Sequence, residues 1–171
     1  MGLASAIALR SRGFSVMVAD PALPPIDKAC GEGLMPDALA SLVRLGVTLR
    51  PEHVFPFRGI RFLGGGNTVD ASFPNGSGVG IRRTHLHQAL IDRAEEAGAT
   101  LLWGTAVKGL SASGVTLDHV AVDCRWVVGA DGENSRVRQW AGLETTQRKS
   151  LRFGFRRHYR IKPWADCVVA V

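Results

Sequence analysis

Apolar residues recur along the chain in two periods. Between Gly2 and Arg12 the small and apolar residues Leu3, Ala4, Ala6, Ile7, Ala8 and Leu9 predict a helix, and Gly13 follows where helices commonly stop. Val16-Met17-Val18-Ala19 is an unbroken apolar run that predicts a buried strand over 15–19, closed by Asp20-Pro21. Residues 21–35, rich in proline and glycine, predict a loop. Pro36 to Leu45 predicts a helix with proline in its first turn. Strands are predicted at 59–63, 67–73 and 78–82, with Gly64-Gly65-Gly66 as a turn.

Thr84 to Ala97 carries the clearest helical pattern. Thr84 is a candidate cap, Leu86, Leu90, Ala94 and Ala97 form a stripe, and Gly98 closes it. Strands are then predicted at 100–103, 106–111, 114–117 and 119–129. A helix follows from Asn134 or Ser135 to Ala141, and 151–161 reads as extended. The order of helix, strand, helix, strands, helix, strands indicates an α/β fold with an inserted or added sheet.

Composition narrows the classes. A hydrophobic fraction of 46% over 171 residues is that of a globular chain with a core. No apolar run approaches the ~18 residues of a transmembrane helix, and the start is too lightly charged for a secretory signal. A cytoplasmic protein is the expectation, with peripheral membrane contact left open. Cys30, Cys124 and Cys167 are widely spaced, which argues against disulfides and metal ligation. The net charge of +6 lies wholly in residues 125–171, since acids and bases cancel before them. Arginines often flank strands, so a solvated sheet face is preferred to a nucleic-acid surface.

Two segments suggest dinucleotide chemistry. In a βαβ unit of that kind the last glycine of the phosphate turn opens a helix, and an acid ends the next strand about 20 residues on. Gly2 and Asp20 fit those positions, packing helix on strand and accepting ribose hydroxyls. The alternative for Asp20 is a turn cap. Gly129-Ala130-Asp131-Gly132-Glu133-Asn134-Ser135-Arg136-Val137-Arg138 ends a predicted strand at a sheet edge and opens a helix, where N–H groups meet a phosphate. The alternative there is a plain strand–turn–helix with Asp131 as turn former.

That decapeptide resembles the [GA]-A-D-G-x-x-S-x-V-R motif of the para-hydroxybenzoate hydroxylase-like flavoproteins, which include flavin monooxygenases and geranylgeranyl reductases. The resemblance implies FAD as cofactor, NAD(P)H as a donor, and FAD-serving roles for Asp131, Gly132, Ser135 and Arg138. Lys28-Ala-Cys-Gly-Glu-Gly-Leu34 resembles a segment of the geranylgeranyl reductase-like branch. Arg83-Thr-His-Leu-His87 resembles its R-x-x-[LF]-[DH] segment, which implies that Arg83 faces the cofactor cleft. Trp103 to Val107 resembles the strand whose backbone meets the adenine, and Phe155 to Arg160 the first strand of the substrate sheet. The family's Gly-x-Gly would precede Met1 and its late Gly-Asp would follow Val171, so truncation at both ends is expected.

The implied fold is a Rossmann-like, three-layer FAD-binding domain over 1–150, lacking its first strand, with substrate-layer strands inserted at 56–82 and a substrate sheet beginning at 151–171. The expected function is that of an FAD-dependent oxidoreductase acting on a small, largely apolar molecule, reductase-like. The alternatives are a monooxygenase and a non-catalytic nucleotide-binding remnant. Cys30 and Glu32 are the candidates for a proton donor, set against a packed thiol and an exposed Gly-x-Gly turn. His158 and Tyr159 alternate on an extended segment, so one of them can face a substrate cavity. His85 and His87 make a poor metal pair.

Overall fold

In the computed structural model, which describes residues 1–30, 32–144, 154–162 and 164–170, the elements run α1 (Gly2–Arg10), β1 (Met17–Asp20), β2 (Gly33–Leu34) and α2 (Pro36–Arg44). Then come β3 (Val54–Phe57), β4 (Gly59–Gly64), β5 (Asn67–Ser72), β6 (Gly78–Ile81) and α3 (Arg83–Glu96). The remainder are β7 (Thr100–Trp103), β8 (Val107–Leu110), β9 (Gly114–Leu117), β10 (Val120–Asp123), α4 (Arg136–Trp140) and β11 (Val168–Ala170). The chain divides into two units, Met1–Ile26 with Leu90–Arg152, and Asp27–Ala89 with Phe153–Val171, and the division falls within α3.

In the first unit α1 buries Leu3, Ala6 and Ile7, a spacing that keeps all three on one face. Gly13, at φ +82°, lets the chain leave the helix in the left-handed region. β1 runs parallel to β7, from Met17 opposite Thr100 to Asp20 opposite Trp103. The Arg10 side chain donates from Nε to the Ala97 carbonyl at 2.8 Å and so ties the end of α1 to the end of α3. β8, β9 and β10 form an antiparallel meander.

The predicted strand over 119–129 is realised only at Val120–Asp123. Among the described residues Trp126, Val127 and Val128 lie outside any strand and are exposed. An apolar run becomes a strand only where a neighbour supplies its hydrogen bonds. The α3 stripe is also shifted from the predicted one. His87, Ile91 and Ala94 are buried, whereas Leu86 and Leu90 are only partly covered. An imidazole body packs as an apolar group would, which a hydrophobicity pattern does not register.

The second unit holds two small sheets. β4 and β5 form a hairpin about Gly65 and Gly66, whose φ of +55° and +79° is the left-handed pair that a two-residue turn requires. β11 adds to β4 in parallel. β6 lies between β2 and β3, antiparallel to both, with Phe57 and Ile81 buried. β2, β3 and β11 were not predicted, because two to four residues carry too little pattern. The extended stretch expected at 151–161 forms no strand over 154–161, and 151–153 lie outside the described residues.

Candidate functional site

In the first unit, Gly2 opens α1. A methyl group there would sit 3.6 Å from the Ala130 Cβ, an ordinary contact, so the packing expected to demand glycine also admits alanine. Asp20 ends β1. Its Oδ1 accepts the Ala22 N–H at 2.9 Å and its carbonyl accepts the Thr105 N–H at 3.1 Å, while Oδ2 has no partner among the described residues. The turn-capping and ligand-accepting readings of Asp20 are therefore compatible on separate oxygens. Val107 begins β8, opposite Leu117.

The Gly129–Arg138 segment folds back on itself. Asp131 Oδ1 accepts from the Ser135 hydroxyl at 2.5 Å, and Oδ2 accepts the N–H groups of Arg136 at 2.7 Å and Val137 at 3.2 Å. Ser135 Oγ in turn accepts the Arg138 N–H at 3.0 Å, as a helix cap does. Arg138 Nη2 donates to the Glu133 carbonyl at 2.7 Å. Burial pushes the Asp131 carboxyl up, but the Ser135 hydroxyl and the backbone N–H groups outweigh it and hold the group below its ordinary value. Gly132 takes φ +85°, and Gly129 faces Val137, whose Cγ1 would lie 2.8 Å from any added Cβ. The carboxylate expected to serve the cofactor thus shapes the turn and opens α4.

In the second unit, Glu32 takes φ +54°, a left-handed conformation in a residue with no local hydrogen-bonding advantage there. Its Oε1 accepts the Arg83 N–H at 2.8 Å, which opens α3, and Arg156 Nη1 at 2.9 Å. Its Oε2 lies 2.5 Å from His158 Nε2. Arg156 also reaches the Lys28 carbonyl at 3.1 Å and Asp27 Oδ2 at 2.6 Å. The Glu32 side chain is only 15% exposed. Its burial raises the carboxyl, but the Arg83 N–H, His158 and Arg156 hold it below its ordinary value.

Glu32 therefore differs from both sequence expectations. It is not an exposed turn residue, and at neutral pH it holds no proton to donate. Cys30 is exposed, and its Sγ accepts the Glu32 N–H at 3.5 Å. Thr84 does not cap α3; the helix opens at Arg83, and Glu32 caps it across 51 residues. Asp27 and Arg156 were missed. The alternation of Arg156 and His158 on one extended segment was a signal for Arg156, and no linear pattern pointed to Asp27.

Each unit offers one observation on ligand fit. In the first, Asp20 keeps a carboxylate oxygen for a hydroxyl, which fits the ribose of a dinucleotide. In the second, Arg83 Nε is buried with no partner among the described residues, which fits an anionic group. Residues 1–158 match the family described as FAD binding domain. The chain belongs to that family.

This FAD binding domain is 32% identical over 179 aligned residues to menaquinone reductase of Mycobacterium tuberculosis, covering 95% of the chain and 44% of the relative. It is 31% identical over 125 residues to 2-heptyl-3-hydroxy-4(1H)-quinolone synthase of Pseudomonas aeruginosa, covering 64% and 32%. The chain thus spans less than half the length of these relatives. Among solved structures it superposes on P. aeruginosa PqsL in complex with 2-aminobenzoylacetate with a TM-score of 0.73, at 19% identity over 88% of this chain and 46% of that one. For 2-methyl-3-hydroxypyridine-5-carboxylic acid oxygenase the TM-score is 0.68, at 24% identity over 82% and 39%. The fold is the Rossmann-like α/β fold of FAD-binding monooxygenases, and the cofactor is FAD.

Proposed function

We propose that the chain is the FAD-binding part of a cytoplasmic, NAD(P)H-dependent flavin monooxygenase that acts on a small, largely apolar ring compound of the quinone or quinolone kind. The match of residues 1–158 to FAD binding domains carries this reading. The oxygenase among the superposable structures and the quinolone synthase among the relatives favour oxygen chemistry. Bound FAD supplies the electron transfer, and the protein binds, orients and excludes water. In this reading Asp20 accepts a ribose hydroxyl and the β8 backbone at Val107 meets the adenine, while in the second unit Arg83 takes an anionic group. Gly2, Gly132, Ser135 and Arg138 shape the surrounding helix openings. The strands of 56–82 and the chain beyond 151 form the substrate layer. Among the described residues no helix is long and apolar enough to cross a membrane, and an apolar substrate can be met at a membrane surface.

One observation favours a reductase as a second reading. The relatives covering 95% of the chain are menaquinone reductases. Its weakness lies in the proton donor, because Glu32 is an ionised acceptor. The deciding experiment supplies the full-length, flavin-loaded protein with NAD(P)H, oxygen and either a quinolone or a menaquinone. Mass analysis that finds one added oxygen atom supports the monooxygenase. Two added hydrogens in anaerobic turnover would replace it with the reductase, and flavin binding without turnover of either would point to a nucleotide-binding remnant.

A further inference from the structure

We propose that His158 is a general base, oriented by Glu32, that takes a proton from an O–H or N–H group of the bound ring compound. This rests on the oxidoreductase reading above. Glu32 is an ionised carboxylate, so its Oε2 accepts a hydrogen from His158 Nε2. That hydrogen bond makes Nε2 the donor, so in the basic form of the ring the lone pair lies on Nδ1, which has no partner among the described residues. The imidazole is 37% exposed, against 15% for Glu32, so the carboxylate is the more covered member of the pair. Tyr159 projects differently and lies under the Arg157 guanidinium at 5.5 Å.

Charges of both signs surround the ring. Asp27 and Glu32 carry two negative charges and Arg156 one positive charge. Lys28 contributes its carbonyl to Arg156, Arg83 contributes its backbone N–H to Glu32, and the Cys30 thiol accepts from the Glu32 N–H. In the step, the substrate O–H or N–H bond breaks, its electron pair stays on the substrate atom, and the proton bonds to Nδ1. The imidazolium then returns a proton to water at its exposed edge.

The test uses the full-length flavin-loaded protein with nitrogen-15 histidine. In the basic form of the ring the spectrum is expected to show the Nε2–H tautomer of His158. His158→Gln is expected to keep its flavin and lose turnover by about 100-fold or more, the usual scale of general-base catalysis. The deficit is expected to shrink as pH rises, because the substrate then ionises unaided. His158→Ala is expected to regain turnover with added imidazole, which a merely structural histidine would not permit. An Nδ1–H tautomer, or a His158→Gln protein with wild-type turnover and pH profile, would overturn the assignment. Wild-type protein that turns over neither ring substrate would instead overturn the oxidoreductase reading on which it rests.

Discussion

Asp131 and Glu32 do the same local job by opposite routes. Each places a carboxylate oxygen on a backbone N–H that opens a helix, α4 for Asp131 and α3 for Glu32. Asp131 reaches partners four to six residues ahead of it in an ordinary strand–turn–helix. Glu32 reaches a helix 51 residues away, and Arg156 and His158 at separations of 124 and 126, from a left-handed backbone. A local cap depends on little but its own segment. A long-range cap ties its segment to two others and stores backbone strain to do so, the arrangement expected where geometry serves chemistry rather than folding.

The largest effect should therefore follow loss of Glu32. Glu32→Ala leaves the half-buried Arg156 and the Arg83 N–H without their acceptor and should cost about 2–4 kcal/mol in urea unfolding followed by circular dichroism. Glu32→Gly loses the same bonds but relieves the left-handed backbone. It should be less damaging than Glu32→Ala by about 1 kcal/mol, and equal losses would show that the strain is absent.

Asp131→Ala should cost less, about 1–2 kcal/mol, since water can reach the N–H groups of the short α4. Ser135→Ala should cost about 1 kcal/mol, and a double-mutant cycle should show the two coupled. Independent effects would break the view of this turn as one capping unit.

Acid sharpens the same comparison. Both carboxyls are held below their ordinary values of 4.5 for Glu32 and 3.8 for Asp131. Their contributions are thus full above those values and are lost as pH falls through the lower folded ones. Wild-type stability should fall as pH drops below about 4.5, and Glu32→Gln should flatten that fall more than Asp131→Asn. The smallest effect is expected at Gly2→Ala, within about 0.5 kcal/mol and with flavin retained, because the added methyl finds an ordinary contact.

The same division governs what was legible before the structure. α1, α2, β7 and β9 follow from periodicity, and the Gly129–Arg138 turn from residues adjacent in the chain. The short strands β2, β3 and β11 exist only through partners elsewhere, and Trp126–Val128 shows the converse, a strand-like run without one. Glu32 was singled out for its Gly-x-Gly setting, yet its partners could not be read, because nothing in a linear pattern brings residue 156 to residue 27. Asp131 was singled out as a cofactor ligand, and its bonds to Ser135, Arg136 and Val137 lie within its own turn.

The most direct test of the central claim is a fluorescence titration of the full-length apoprotein with FAD, made on wild type and on Asp20→Ala. The account predicts one FAD per chain, with binding weakened about 5–30-fold by Asp20→Ala, which corresponds to roughly 1–2 kcal/mol for one hydrogen-bonded ribose hydroxyl. A wild-type protein that binds no FAD, or an Asp20→Ala protein that binds it unchanged, would contradict the assignment of this edge as the dinucleotide site.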